Sequence, residues 1–334
     1  MKKIFITGGA GYVGGRLVPF FLENNYQVTV YDIMYFGYDH LPTNNKNLKI
    51  ITGDIRDIAK LKNSIEDHDI FLHLACISND TSFFLDENLS KTINYDCFEP
   101  MVISAKEAGV KRFIYASSSS VYGVSDKPNV TEDHELLPLT PYNKFKGMCE
   151  PLLFKHTNDD FEGVIFRPAT VCGYSPRMRF DLSVNILTNF GINKDFIKVF
   201  GGNQLRPNLH IDDYSEVCKL LCEAESKNIK NEIFNVGYEN MSILDLAQKV
   251  KQNVKKFLGK ENLEIKIEES NDNRSYHINS DKINSILGYR PKRSIDLAIQ
   301  EIISSFKDNK FSNMDTFNDD EYFNVKRLKN INAK

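Results

Sequence analysis

The sequence has no tryptophan, six cysteines and eleven prolines in 334 residues, and no surplus of positive charge. Cys76, Cys97, Cys149, Cys172, Cys218 and Cys222 form neither close metal-ligand pairs nor the dense pattern of a secreted disulfide scaffold. They read as buried thiols of a reducing cytoplasm. Cys218 and Cys222 are four apart on an expected helix, so they share a face, but no histidine or second pair completes a metal site. With 42 basic and 45 acidic residues the net charge is −3, and the two signs are interspersed, which excludes the clustered basic face that nucleic acid requires. No apolar run is long enough to span a membrane. The start, MKKIF, imitates the basic end of a signal peptide, yet Gly8–Gly9 cut the run and no cleavage pattern follows. A cytoplasmic protein with no membrane or nucleic-acid partner is expected. There is no internal repeat and no low-complexity linker, and the length allows two domains or one large α/β unit with an appended lobe.

What is present begins at once, in MKKIFITGGAGYVGGRLVPFFLENNYQVTVYD. Lys3–Thr7 reads as a short apolar strand, Tyr12–Leu22 has helical apolar spacing, and Gln27–Tyr31 is a second strand ending in Asp32. Between strand and helix lie Gly8, Gly11 and Gly14 at three-residue spacing. One glycine allows the tight turn, one lets backbone approach a pyrophosphate, and one lets the helix pack close to the strand. The phosphates then meet the unpaired N–H groups and positive dipole end of the helix. Asp32 would accept hydrogen bonds from an adenosine ribose, and its charge would repel a 2′-phosphate, so the unit predicts NAD rather than NADP.

Leu48–Thr52 is expected as a third strand, closed by GDIRD, and Asp54 is placed either to contact adenine or to cap a helix beginning near Ile58. Ile70–Leu74 is a fourth strand, Asn94–Ala108 a helix ended by Gly109, and Arg112–Ala116 a fifth strand running into four serines, SSSSVYG. Strands and helices alternate, which predicts a doubly wound parallel sheet of the Rossmann type with a smaller α/β lobe. Some twenty-four residues after the serines stands Pro141-Tyr142-Asn143-Lys144-Phe145-Lys146. Pro141 suits a first helical turn, and Tyr142 and Lys146, four apart, share a face. A phenol is a poor base at neutral pH, but an adjacent ammonium and a positive nicotinamide ring both favour the phenolate. Tyr142 could then take the proton of a sugar hydroxyl as hydride leaves its carbon. Lys146 would also hold the nicotinamide ribose, and one serine would orient the same hydroxyl.

Together these stretches resemble the extended short-chain dehydrogenase/reductase family, the NAD-dependent epimerases and dehydratases of nucleotide sugars. The resemblance covers nearly the whole chain: TGGAGYVG, Asp32, GDIRD, HLA, Asn94, SSSSVYG, YNKFK, RPATVCG and RPNLHIDD. It implies that Ser118, four residues before Tyr122, is the catalytic serine beside Tyr142 and Lys146, with Ser119 a supporting neighbour facing substrate. It implies a cofactor site of Gly8, Gly11, Tyr12, Val13, Gly14, Asp32, Asp54, Ile55, Leu74, Ala75, Asn94, Tyr142, Lys146 and Pro168. Sugar 4,6-dehydratases of this family carry Asp-Glu where this chain has Ser119-Ser120, so the acid that would protonate a leaving 6-hydroxyl is missing. Cys172 replaces the family's usual tyrosine, a change expected to alter packing near the nicotinamide.

Phe166–Val171 is expected as a strand entering VCGYSPRMRFDLSVN, a stretch similar to a bacterial branch that includes GDP-heptose 4-dehydrogenases and 4-epimerase-like enzymes of capsule and lipopolysaccharide sugars. Arg177 and Arg179 suit a substrate diphosphate, because planar guanidinium donates two hydrogen bonds at once, although surface ion pairs would explain them too. Arg206 and Arg274 fall where family members hold that diphosphate. His210 reads as a structural histidine at a domain junction, with Asp212 and Asp213 capping a helix Tyr214–Glu225. No metal is called for, since the hydride chemistry already has its acid–base group. The expected division is 1–170 plus about 209–240 for the NAD domain, about 171–208 plus 241–310 for a substrate lobe, and 311–334 for a tail with a helix near Tyr322–Asn330. In that lobe Met241 onward has a helical rhythm and Leu263–Glu268 is a strand. The resemblance implies a homodimer through Tyr95–Ala108 and Tyr142–His156, and a nucleoside-diphosphate sugar whose 4-hydroxyl is oxidised. A dehydratase, a 4-ketoreductase and a non-catalytic NAD-binding protein are the alternatives.

Overall fold

Strand β1 (Lys3–Thr7) buries Ile4, Phe5 and Ile6 completely, so it is covered on both faces, as a central strand of a parallel sheet must be. The computed structural model describes residues 1–334 apart from 79–81, 83–84, 126, 128, 271–274, 276, 312–313 and 334. Around β1 lie β2 (Gln27–Asp32), β3 (Leu48–Thr52), β4 (Ile70–His73), β5 (Arg112–Ala116), β6 (Glu162–Pro168) and β10 (Glu232–Val236). Their order is β3-β2-β1-β4-β5-β6-β10, every neighbouring pair parallel, with Ile4 opposite both Val28 and Ile70. This is the Rossmann order with a seventh strand added.

The two-residue period of the strands divides the core. Ile4, Ile6, Val28, Val30, Leu72, Ile114 and Phe166 face one way, onto Leu17, Val18 and Phe21 of the helix Gly14–Glu23 and Tyr214, Val217 and Leu221 of the helix Ile211–Glu223. Phe5, Tyr31, Phe71, Phe113 and Tyr115 face the other way, onto the helices Ile58–Ile65, Phe98–Glu107 and Pro141–Lys155. Phe71 and Phe113 stack there with ring centroids 4.6 Å apart.

The remaining strands make two small sheets: β7 (Thr170–Cys172), β9 (Leu205–His210) and β11 (Glu239–Ser242) form one, while β8 (Phe196–Phe200) pairs parallel with β12 (Glu264–Glu268). Helices Ser183–Asn193, Ile243–Leu258 and Ile295–Lys307 close a separate apolar cluster beside them. Cys172 lies in this cluster, fully packed, with burial pushing its thiol pKa up. Its Sγ donates to Leu209 O on β9 at 3.6 Å, so the packing it changes is that of this cluster.

Several elements differ from the sequence reading. The strand expected at Phe166–Val171 is two strands, because Ala169 donates to Val236 O while the chain passes from the large sheet to the small one. The expected helix at Asn94–Ala108 begins as a π-helical turn, Thr92–Asp96, and becomes regular at Phe98. The helix expected at Tyr214–Glu225 runs Ile211–Glu223 and is capped by His210, whose Nδ1 accepts from Asp212 N at 3.1 Å. Asp212 and Asp213 are therefore not its caps. Asp212 takes a two-pronged hydrogen bond from Arg16 (2.8 and 3.0 Å), and buried Asp213 accepts from Lys292 N, Arg293 N and Arg293 Nη1. His210 Nε2 lies 3.3 Å from Glu301 on the helix Ile295–Lys307, so the histidine does stand between the parts of the molecule.

Behind the serine turn a buried ion pair joins Glu150, on the Pro141–Lys155 helix, to Arg167 on β6, with Nη2–Oε2 at 2.6 Å. Ser117 donates to Glu150 Oε1 (2.6 Å), Arg167 donates to Tyr122 OH (2.7 Å), and Tyr122 donates to Asn235 Oδ1 (2.8 Å). The network fixes both ends of the segment that carries Ser118. Removing one partner strands the other's charge in a dry site, so Glu150→Ala should lower unfolding free energy by about 3–5 kcal/mol in urea titrations. A loss below about 1 kcal/mol would show that Arg167 finds water instead.

Candidate functional site

The C-terminal ends of β1, β2, β4, β5 and β6 open on one cleft of about 860 Å³, the crevice where open α/β sheets bind ligands. Its floor is the turn after β1. Gly8 has φ +76°, and a Cβ there would meet Ala75 backbone at 2.6 Å; Gly11 N donates to Gly8 O at 3.2 Å. The helix that follows, Gly14–Glu23, has no side-chain cap; Gly15 N donates to Gly11 O at 2.8 Å and Leu17 N to Val13 O at 2.9 Å, so the helical turn begins within the glycine turn itself. Gly8, Gly11, Tyr12 and Val13 line the cleft. Gly14 does not reach it; its work is packing against Gly9. Tyr12 turns its hydroxyl away, donating to Gly173 O at 2.7 Å.

Asp32 stands at the end of β2, its Oδ2 accepting from Ala10 N (3.0 Å) and its Oδ1 from Met34 N (2.8 Å). Burial raises its carboxyl pKa, against the pull of those amides and of Arg177. Asp54 and Ile55 line the same end. Asp54 does not cap the next helix, for Asp57 accepts from Lys60 N there. Instead Asp54 is held by Arg56 at 2.9 Å; burial pushes its pKa up, but these hydrogen bonds outweigh it and hold the carboxyl below its ordinary value. Leu74, Ala75 and Pro168 complete the apolar wall. Asn94, placed at the cofactor by resemblance, lies just behind that wall: it accepts from Ile77 N (2.8 Å) and donates to Ile77 O (2.9 Å), fixing the loop after β4.

Where β5 ends, Ser118, Ser119, Tyr142 and Lys146 line the cleft together. Lys146 is buried, and its ammonium donates to Ala116 O at 2.8 Å, leaving two more protons to give. The Ser118 and Ser120 hydroxyls are 2.7 Å apart, and Ser120 donates to Asn143 Oδ1 at 2.5 Å. Ser120 has one proton, so Ser118 supplies the proton between them and keeps its oxygen as an acceptor. The cleft carboxylates among the described residues are Asp32, Asp54 and Asp181. None stands beside Ser118 in sequence, and each is held by amides or by an arginine.

The arginines separate. Ser175 donates to Tyr12 O at 2.7 Å, which lays the SPRMR loop over the glycine turn and brings Arg177 to the Asp32 end. Its guanidinium stacks 3.7 Å from the Phe36 ring centroid and donates to Asn324 Oδ1 at 2.7 Å, while its buried Nε has no protein partner. Burial, and Arg179 next to it, lower the pKa of Arg177. Arg179 forks onto Asp181 (2.8 and 3.1 Å) and reaches Ser78 Oγ at 3.1 Å. Two adjacent guanidiniums, one with an orphaned N–H, favour an anion beside the glycine turn. Together with a backbone cradle that no Cβ could share and an acid at the end of β2, these residues fit NAD. Arg206 lines the other half of the cleft with Lys198, Phe200 and Gln204. Arg274 lies outside the described residues. Sequence reading missed Phe36, Ser78, Asp181, Phe200 and Asn324. Only Asp181, two residues from Arg179, carried a local signal. Among the described residues no group of His, Cys, Asp and Glu could hold a metal ion, and no helix is long and apolar enough to cross a membrane.

The chain is similar to known proteins in sequence and fold. The chain is 26% identical over 275 residues to UDP-glucose 4-epimerase of Lactobacillus helveticus, covering 74% of this chain and 81% of that one. It is 28% identical over 324 residues to dTDP-D-glucose 4,6-dehydratase of Homo sapiens, covering 92% and 91%. Its fold matches the crystal structure of UDP-glucuronic acid 4-epimerase from Bacillus cereus in complex with UDP-glucuronic acid and NAD, with a TM-score of 0.81, 27% identity, and coverage of 92% and 99%. A family model spans residues 4–237, from β1 through β10. The chain belongs to the NAD dependent epimerase/dehydratase family.

Proposed function

We propose that this protein oxidises the 4-hydroxyl of a nucleoside-diphosphate sugar, acting as a 4-epimerase if hydrogen returns to the opposite face and as a 4-dehydrogenase if the keto sugar leaves. The observation that carries this reading is the convergence of Ser118, Tyr142 and Lys146 on the cleft that also holds the glycine turn and Asp32. NAD, when bound, supplies the two-electron acceptor. Tyr142 takes the proton from the sugar hydroxyl, Lys146 favours the phenolate through its charge and holds a ribose hydroxyl, and Ser118 turns its own proton from Ser120 to the sugar oxygen to orient it. Gly8, Gly11, Tyr12, Val13, Asp32, Asp54, Ile55, Leu74, Ala75 and Pro168 hold the cofactor, with Gly14 and Asn94 supporting them from behind. Arg206 takes the substrate diphosphate, and Phe200 beside it offers an apolar face to the base. The seven-stranded part serves as cofactor domain, and the part built on residues 171–208 and 241–310 serves as substrate lobe.

Relatives at similar identity include both epimerases and dehydratases. Elimination needs an acid at the leaving 6-hydroxyl, and Ser119 and Ser120 occupy the places next to Ser118. Oxidation without elimination is the reading this favours. The six free cysteines suit a reducing cytoplasm, and the SPRMRFDL resemblance suits sugars of bacterial surface polysaccharides. Ile103 and Met148, both more than a third exposed on the helices Phe98–Glu107 and Pro141–Lys155, suit a homodimer through those helices.

Tyr142→Phe should cut turnover by about 10²–10⁴-fold while NAD still binds; an unchanged rate would remove Tyr142 from the chemistry. With NAD and a panel of UDP-, GDP-, dTDP- and CDP-sugars, a sustained rise at the NADH absorbance would identify a dehydrogenase. A new isomer without that rise would identify an epimerase, and a 6-deoxy-4-keto product would overturn the non-eliminating reading. Ile103→Asp combined with Met148→Asp should convert the dimer to monomers in sedimentation velocity; an unchanged sedimentation coefficient would place the interface elsewhere.

A further inference from the structure

The tail beyond the Ile295–Lys307 helix runs from the substrate side of the molecule to the cofactor side. Thr316 Oγ1 donates to Asn189 Oδ1 at 2.9 Å, and Phe180 N donates to Tyr322 O at 3.1 Å, which ties the first part to the Ser183–Asn193 helix and its approach. Phe311 and Tyr322 pack with Phe180 and Met178 in one apolar cluster that also contains Tyr12 of the glycine turn. The tail then forms the helix Asn324–Asn330, whose Leu328 joins the core cluster under the large sheet.

At the start of that helix Asn324 is buried and lines the cleft. It makes three hydrogen bonds to two different loops. Its Oδ1 accepts from Arg177 Nη2 (2.7 Å), its Nδ2 donates to Ser78 Oγ (2.8 Å), and its backbone N–H donates to Asp181 Oδ2 (3.1 Å). Ser78 and Asp181 are also the partners of Arg179. One turn later Arg327 Nε donates to Tyr35 O at 2.7 Å, holding the loop after β2 that carries Phe36, the ring on which Arg177 stacks. A single asparagine side chain thus bonds the loop after β4 and the SPRMR loop, and Arg327 adds the loop after β2.

We propose that Asn324 is a cofactor-site residue and that the C-terminal helix retains NAD between turnovers, by fixing Arg177 with its unpartnered Nε toward the cofactor anion and by closing the loops around the adenosine end. This rests on the assignment of the cleft to NAD. Arg177 and Arg179 then serve the cofactor rather than the substrate diphosphate, which is left to Arg206.

The test is release of NAD. Full-length protein loaded with radiolabelled NAD is chased with unlabelled NAD, for wild type, Asn324→Ala and Arg327→Ala, alongside thermal midpoints without cofactor. Each lost hydrogen bond to a charged group is worth about one factor of ten, so Asn324→Ala should release NAD at least about tenfold faster and Arg327→Ala several-fold faster. Equal release from folded variants and wild type would overturn the proposal. So would a lowered midpoint with unchanged release, since it would make the contacts structural only. Should Asn324→Ala fail to fold, Arg327→Ala decides, because its side chain is partly exposed and Asp320, its ion-pair partner, keeps the hydrogen bond from Asn330. Failure of wild type to bind NAD at all would instead remove the cofactor assignment, which is a separate result.

Discussion

A methyl group at Gly14 would lie 2.1 Å from the carbonyl oxygen of Gly9, so helix and turn touch at a distance that only glycine allows. The contact sets where the helix N-terminus sits over the end of β1. Gly8 repeats the constraint on the other side, against the Ala75 backbone after β4. Between them the anion-binding end of the helix is positioned by backbone against backbone, with no flexible side chain to absorb error. The Asp32 carboxylate, bonded to Ala10 N inside the same turn, is fixed to this frame, and so is the SPRMR loop through Ser175 and Tyr12 O. The charged half of the cleft therefore takes its geometry from two glycines.

The other half takes its geometry from the Pro141–Lys155 helix. Lys146 bonds the end of β5 and Glu150, one turn on, bonds Ser117 and Arg167, so a single helical face ties itself to the strand that carries the serines. Tyr142 occupies the first turn of the same helix, where Pro141 and the Thr140 cap, which accepts from Asn143 N, fix the start. The spacing of Tyr142 and Lys146 is in this sense helical spacing. The helix aligns its residues once, and a buried ion pair behind it keeps that alignment from drifting.

These local relations are what made much of the fold and the site legible in the sequence. β1, β3 and β5 have the bounds expected from the sequence, and the glycine spacing, the acid after β2 and the four-residue step from Tyr142 to Lys146 are patterns within a few residues of chain. What escaped was set by contacts between distant segments. Where the loop carrying Arg177 and Arg179 sits depends on Ser175 reaching Tyr12, 163 positions earlier, and on Asn324, 147 positions later. The cap of the Ile211–Glu223 helix was misread for a related reason. Asp212 and Asp213 look like caps locally, but Arg16 and Arg293 compete for their carboxylates and win, since a charged, partly buried hydrogen bond is stronger than one to an exposed amide.

The tail adds a constraint on the reaction. A 4-epimerase has to keep its oxidised sugar and its reduced cofactor in one cleft while the sugar turns over, because the same hydrogen must return. A dehydrogenase has to do the opposite and exchange its cofactor at every cycle. The helix Asn324–Asn330 bonds three loops at the Asp32 end of the cleft. Cofactor exchange would require Asn324 and Arg327 to leave their partners together, since either one alone still ties a loop. The other half, lined by Lys198, Phe200 and Arg206, is where the proposed substrate would sit. If the proposed cofactor is held at the end the tail ties, that architecture would favour returning the hydrogen over releasing the reduced cofactor, which is the epimerase sequel of the proposed oxidation.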